Sequence, residues 1–373
     1  MNITPLSITI SQLASGYKNE LNEDVVAYDG KLIVRPNFQR EFVYTDVQQS
    51  DVIKSILLNR PLGNMYWLKH DDKMELMDGQ QRTISICEFV NGHSSFRGRF
   101  FESLNDKVKE AVCNYPLQVF VCEGGTKAEE MDWFQTVNTA GEKLNAQEMR
   151  NAIFASPWVN QLKKYFSRPF CPATEELDAA KYINGVAIRQ DFLQTALEWS
   201  ARKHGVNGVH SYMESRYKTV EDGDDSELTE WTYFVEVLDW VKKTFKTYWR
   251  DMKGGDWNAL YMEFGDRDLD VKKIDETVTR LHNDPYVNDP KTIYKYAITE
   301  NRNDISLVSP DTPQIRSALY NRQKGMCAEC GDAYAKLDLY TVPIVPWEEG
   351  GKFTEDNLKL ICKDCYRKTG AKV

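Results

Sequence analysis

Histidine is scarce in this chain. There are five in 373 residues, and the last is His282. Beyond that point no imidazole is present to act as a base or a metal ligand, so the commonest general base is missing from that end. Positive charge is also short. Lys and Arg number 47 against 56 Asp and Glu, a net charge of −9. A protein that coats nucleic acid through charge alone would be basic, so any DNA contact here must be local. Residues 311–373 hold ten basic and nine acidic side chains, which places the negative excess in the rest of the chain. Long apolar runs are absent, and so is an amphipathic Arg-rich leader. Both absences point to a soluble, cytoplasmic protein with no membrane association. No internal repeat or low-complexity tract occurs. A hydrophobic share of 42% describes an ordinary folded protein, and the length suffices for two or three domains.

Cysteine is where the composition becomes specific. Cys327 and Cys330 form one C-x-x-C pair, and Cys362 and Cys365 form another. Such turns bring two thiolates to about 2.3 Å from one soft, tetrahedral ion, so the quartet predicts structural zinc. The segment 314–373 is too short for a large core, and a metal would supply much of its stability. The alternative is two disulfides, which a reducing compartment disfavours. Cys87, Cys113, Cys122 and Cys171 sit in apolar surroundings and are expected to be small buried hydrophobes.

Between the pairs runs Thr341-Val342-Pro343-Ile344-Val345-Pro346-Trp347-Glu348-Glu349-Gly350-Gly351-Lys352, then Asn357-Leu358. This resembles the four-cysteine type of HNH endonuclease module, a small treble-clef or ββα-metal fold. The family core reads roughly D-H-I-x-P-W-x-x-G-G-K, followed by N-L and the second cysteine pair. Where that pattern has Asp-His, this chain has Val342-Pro343. Proline offers no base, no ligand and no backbone donor. Tyr366 stands where many members carry His or Asn. Asp338, Glu348 and Glu349 could hold magnesium but supply no base of the usual kind. The expectation is a zinc-stapled module kept for DNA or protein contact, with its nuclease activity lost; the alternatives are a non-enzymatic regulator or decoy that binds DNA or a partner, and an active HNH endonuclease.

The second motif is Asp78-Gly79-Gln80-Gln81-Arg82. Residues 73–77 alternate like a strand, and 83–91 read as a helix with Gly92 as its stop. An acid, two amides and an arginine therefore meet at a helix amino terminus. Free backbone donors there suit phosphate, and Arg82 offers a fork-shaped cation. Upstream lies Pro36-Asn37-Phe38-Gln39-Arg40, then a helical stretch at 46–58. Downstream lies Asn138-Thr139-Ala140-Gly141-Glu142-Lys143-Leu144, then Asn145-Ala146-Gln147-Glu148 with a capping-box pattern.

Together these segments, over residues 5–155, resemble the ParB/sulfiredoxin-like domain of the GmrS family. That resemblance implies binding and hydrolysis of a nucleotide triphosphate with Mg2+, coupled to action on modified DNA in phage defence. Carried onto this sequence, it implies Asp78, Gln81 and Arg82 as catalytic residues. It implies Gln39, Arg40, Gln80, Asn138 and Glu148 as nucleotide-binding residues. For Arg40 and Glu148 the competing reading is an internal salt bridge or cap; for Asn138 it is a turn residue.

The middle of the chain carries no recognisable chemistry. Trp231, Phe234, Leu238, Val241, Phe245 and Trp249 recur at helical spacing as a core stripe. Glu221-Asp222-Gly223-Asp224-Asp225 lacks EF-hand spacing and reads as a solvated acidic loop. His204 and His210 lie among Arg202, Lys203 and Arg216 and read as surface. The proline-punctuated stretch 284–313 reads as a hinge. The expected architecture is α+β: a ParB-like nucleotide domain at 1–155, a helical domain at 156–300 and the zinc module at 301–373. Its expected partners are DNA, a nucleotide triphosphate, and another copy of the chain or a partner nuclease.

Overall fold

The computed structural model describes residues 1–20, 24–36, 38–137, 144–221 and 228–368. Asn138 and most of the acidic loop after Glu221 lie outside these. The chain is mixed α and β and about half helical. It divides into two compact units, Met1–Asp239 and Trp240–Val373.

The first unit is organised by strands β1 (Asn2–Thr9), β2 (Val26–Ala27), β3 (Leu32–Ile33), β4 (Met65–His70), β5 (Lys73–Asp78) and β8 (Pro116–Glu123), with a small hairpin of β6 (Ser95–Phe96) and β7 (Arg99–Phe100). The main sheet has the order β1-β8-β4-β5-β3-β2. β8 and β4 run parallel, as do β5 and β3, while β4 and β5 form an antiparallel hairpin.

Strand periodicity sends neighbouring residues to opposite faces. Trp67 and Leu76 face one core; Leu68 and Met77 face another. The first face is covered by α1 (Ile10–Ala14), α2 (Asp46–Leu57), α3 (Gln80–Val90) and α4 (Asp106–Cys113), through Leu13, Ile53, Ile84, Phe89 and Val112. The second face carries α5 (Lys127–Val137) and α6 (Ala146–Ile153), through Phe134 and Ala152. Fully burying a side chain such as Phe89 or Phe134 is worth about 1.5–3 kcal/mol.

The capping box expected at Asn145 is formed. Glu148 N donates to Asn145 Oδ1 at 2.8 Å, and Asn145 N donates to Glu148 Oε2 at 2.7 Å. A helical layer follows: α7 (Pro157–Phe166), α8 (Pro172–Glu175), α9 (Asp191–Lys203), α10 (Val209–Glu221) and α11 (Thr229–Thr244). Phe234 anchors it, with ring centroids 5.0 Å from Phe166 and 5.1 Å from Trp199. The expected stripe on α11 is buried at Phe234, Leu238 and Val241, and at Phe245 just past the helix. Trp249 lies beyond α11 and stacks on His282 at 3.9 Å.

The second unit contains α12 (Trp257–Phe264), α13 (Val271–His282), α14 (Ile293–Thr299), α15 (Pro313–Arg322), the antiparallel pair β9 (Leu339–Pro343) and β10 (Leu358–Cys362), and α16 (Lys363–Lys368). The stretch expected to act as a hinge is tied to the cysteine module instead. Trp347 Nε1 donates to Asp284 Oδ2 at 2.9 Å, Tyr286 meets Phe353 at 4.8 Å, and Thr341 Oγ1 donates to Asp311 Oδ1 at 2.8 Å. Aromatic and charged residues between the prolines hold the chain where proline alone suggested freedom. No helix among the described residues is long and apolar enough to cross a membrane.

Candidate functional site

The motif residues gather in two constellations, one in each unit. In the first, β5 delivers Asp78 to its carboxy-terminal end and the chain turns into α3. Gly79 makes that turn with φ of 105°, and a Cβ there would meet Met65 Cγ at 2.9 Å. Glycine is required on both counts.

Three buried carboxamides then fix the neighbourhood. Gln39 Nε2 donates to Leu76 O at 3.1 Å and Met77 O at 2.7 Å. Gln80 Nε2 donates to Arg40 O at 2.8 Å. Gln81 Oε1 accepts from Val43 N at 2.8 Å and Tyr44 N at 3.1 Å, while its Nε2 donates to Glu41 O at 3.3 Å. An amide can donate and accept at once, which is why glutamine suits this seam between an irregular segment and a helix.

Arg82 is partly committed as well. It donates to Leu62 O, to Asn64 O at 2.9 Å and to Asp78 Oδ2 at 3.0 Å. Asp78 and Arg82 nonetheless keep side-chain exposures of 29% and 18%, more than any of the three glutamines, and so form the open lip of the turn. Burial pushes the Asp78 carboxyl up; Arg82 and the Gly79 N–H pull it back.

Arg40 and Glu148 meet at 3.5 Å in a buried ion pair, and Arg189 reaches the same carboxylate at 3.8 Å. Burial raises Glu148 against the pull of the Asn145 N–H and the two arginines. The structure thus brings Gln39, Arg40, Asp78, Gln80, Gln81, Arg82 and Glu148 into one linked region; Asn138 lies outside the described residues.

Sequence reasoning missed the neighbours of this region. Lys163 on α7 is buried and donates to Gln39 O at 2.9 Å. Burial pushes it down to about 8, opposed by Glu41. Glu41 is itself paired with Arg35 and lies 3.9 Å from Arg168 Nε. Nothing local marks these residues, since Lys163 and Gln39 are 124 positions apart.

In the second unit, the sulfurs of Cys327, Cys330, Cys362 and Cys365 all lie within 4.8 Å of one another, and none is in a disulfide. Cys330 Sγ and Cys362 Sγ are 3.9 Å apart. Four thiolates around zinc at 2.3 Å sit about 3.8 Å from each other, so the donor set fits that ion. Cys362 N donates to Cys327 Sγ at 3.2 Å and Glu329 N at 3.4 Å. Burial acts to raise the Cys327 thiol, but backbone donors outweigh it and lower it, while burial and the neighbouring sulfurs push the Cys365 thiol up.

The positions that would carry HNH chemistry are otherwise employed. Val342 is buried in the module's core with Leu339, Leu360 and Ile361. Pro343 lies in β9 opposite Leu358. Asn357 spends its whole amide on the adjacent loop: Oδ1 accepts from Val345 N, and Nδ2 donates to Val345 O and Lys352 O, each at 2.9 Å. Tyr366 stacks on Tyr340 at 4.9 Å. Glu348 pairs with Arg302 at 3.4 Å. Among the described residues, the four cysteines form the one group of three or more potential metal ligands.

Comparison with known families finds two matches. Residues 12–117 match the family model of the GmrSD restriction endonuclease N-terminal domain, and residues 327–372 match that of the HNH endonuclease. The four-cysteine module fits a degenerate HNH. No curated protein and no solved structure matches. The two matches indicate a DNA-acting protein of restriction type.

Proposed function

We propose that this chain is an NTP-dependent, DNA-directed protein of the modification-sensing restriction type, acting in phage defence. The amino-terminal part, in this reading a ParB-like domain, binds a nucleotide triphosphate at the turn from β5 to α3. Asp78 at the lip would hold Mg2+, and Arg82 beside it would face the phosphates. The first backbone N–H groups of α3 add donors without helical partners. Gln39, Gln80 and Gln81 preset the turn; Arg40 and Glu148 brace the segment that precedes it. What supports this reading is the concentration of polar motif residues on one left-handed turn, with its acid and arginine paired and partly exposed. The test is a hydrolysis screen over the nucleotide triphosphates, with and without modified DNA. Failure of every nucleotide to bind or turn over sinks it.

The carboxy-terminal module, in this reading a treble clef stapled by zinc, contacts DNA or a partner and does not cut. The buried Val342 and the strand-locked Pro343 support that part. A second reading has nucleotide and DNA bound without turnover, as in a regulator or decoy. It is favoured by Arg82, whose guanidinium already serves Leu62 O, Asn64 O and Asp78. Turnover measurements separate the two.

A further inference from the structure

The hairpin of β6 and β7 belongs to neither site, and its tip carries two arginines in the run Phe96-Arg97-Gly98-Arg99-Phe100. Phe96 stands opposite Arg99, and Ser95 opposite Phe100, so the turn consists of Arg97 and Gly98. Their φ values are 50° and 76°. Positive φ at both central residues is what a type I′ turn demands, and such turns favour Asn-Gly. Arginine has no short polar side chain to ease the left-handed region. Local preference is therefore broken at Arg97.

No structural gain accompanies that choice. Arg97 is exposed, and its guanidinium lies over the Phe96 ring, 5.3 Å from the centroid. Arg99 is exposed as well. Among the described residues, neither side chain has a hydrogen bond or an ion pair. Glu102, the next acid along the chain, is taken by Lys109 at 3.4 Å. The base of the hairpin is nevertheless fixed. Phe96 packs on the core of the sheet's first face, and the buried Phe101 meets Phe89 edge-on at 5.8 Å. The tip stands in open space: a Cβ on Gly98 would meet nothing within 4 Å.

Arg97 rests on the Phe96 ring and Arg99 is the cross-strand neighbour of that residue. Two cations thus border one ring, and like charges so placed repel. An anion received beside them relieves the repulsion.

We propose that this hairpin grips the DNA backbone, with Arg97 and Arg99 each taking a phosphate. That the anion is DNA rests on the DNA-directed reading; the demand for an oxyanion comes from the hairpin itself. A guanidinium fork matches two phosphate oxygens, and a ribbon two strands wide fits the major groove. The net charge of −9 repels a polyanion, so attraction has to be concentrated on a projecting point. These contacts position the duplex and read no sequence.

The test measures duplex affinity of the full chain between about 50 and 200 mM salt. Arg97→Asn with Arg99→Thr should lower the slope of log affinity against log salt by about two, one for each phosphate lost. Affinity at the low-salt end should fall roughly tenfold. The melting temperature should hold or rise, because Asn suits the turn better than Arg. Arg97→Asn alone, with a slope change of about one, serves if the double variant does not fold. Lys218→Gln with Lys272→Gln removes the same charge from two exposed ion pairs and should leave the slope as in wild type. Unchanged affinity and slope in the folded arginine variants overturn the proposal, assign the pair to an acidic protein partner and leave the DNA-directed reading standing. An equal loss in the lysine control shows a general charge effect and overturns it too. Absence of any DNA binding by wild type is a different result: it sinks the DNA-directed reading, and the proposal with it.

Discussion

The two motif-bearing regions keep different things. At the turn from β5 to α3 the polar residues of the motif are all present, and most are spent on structure. Gln39, Gln80 and Gln81 serve backbone groups of the segments they join, while Asp78 and Arg82 pair with each other and stay partly exposed. In the cysteine module the scaffold residues are present and the reactive ones are replaced. The four sulfurs converge and Asn357 clamps its loop, while Val342 and Pro343 are absorbed into a strand and its core. A motif reports first on the scaffold it builds. Whether chemistry accompanies that scaffold depends on which side chains have atoms left over.

Removing the metal should break the comparison most severely, because it attacks one scaffold and spares the other. Structural zinc in small modules contributes on the order of 10–16 kcal/mol of apparent binding free energy. Elemental analysis should find one zinc per chain. Chelation, or Cys362→Ser, should make the second unit sensitive to proteolysis while the first stays resistant. A metal-free tail that remains folded contradicts this.

Gln81→Ala attacks the other scaffold. It leaves the N–H groups of Val43 and Tyr44 without their acceptor in a part-buried seam. Each such loss costs about 1–3 kcal/mol. Denaturant unfolding should show the first unit weakened by that order and the cysteine module unchanged.

Arg82→Ala sharpens the distinction between structure and chemistry within one turn. Nucleotide affinity or turnover should fall by about tenfold or more, since a charge-assisted contact is worth about 1.5–3 kcal/mol. The fold should survive with a smaller loss, read from the unfolding midpoint, because the carbonyls of Leu62 and Asn64 can turn to water. A nucleotide response equal to wild type would place Arg82 wholly on the structural side.

The smallest effect is expected at Asp311, whose hydrogen bonds from Arg316, opposed by burial and aided by Thr341, hold its carboxyl below the usual range. A lowered folded-state value stabilises above the unfolded value, about 3.9, and that contribution is lost as pH falls through the folded one. Asp311→Asn should therefore cost roughly 0.5–1 kcal/mol at neutral pH, with the gap closing in acid. A gap that persists at low pH would contradict the ion-pair origin.

What was legible in the sequence was local. The C-x-x-C spacing found the sulfur quartet, and Asn145 with Glu148 found a capping box that the structure forms. Asp78-Gly79 marked a helix entry, but the helix starts at Gln80, three residues before the expected 83–91, because Gly79 alone makes the turn and takes the N-cap. What was not legible depends on distant partners. Lys163 under Gln39, and Arg35 and Arg168 around Glu41, are joined by the fold and by no pattern in the chain. The proline-rich stretch misled for the same reason: Asp284 and Tyr286 find Trp347 and Phe353 some sixty residues later. The order of the main sheet, in which β8 lies between β1 and β4, rests on pairings that local periodicity does not encode.

Plasmid cleavage by the purified chain, over a series of divalent ions and on plain and modified DNA, tests the central contrast most directly. Wild type should not cut under any of these conditions. Val342→Asp with Pro343→His, which returns a ligand and a base to the zinc-stapled scaffold, should begin to cut, with Pro343→His alone as the control for burying a new carboxylate. Robust cutting by wild type, abolished by changing Asp338, Glu348 or Glu349, would show that acids have taken over the chemistry and that the module is no mere scaffold.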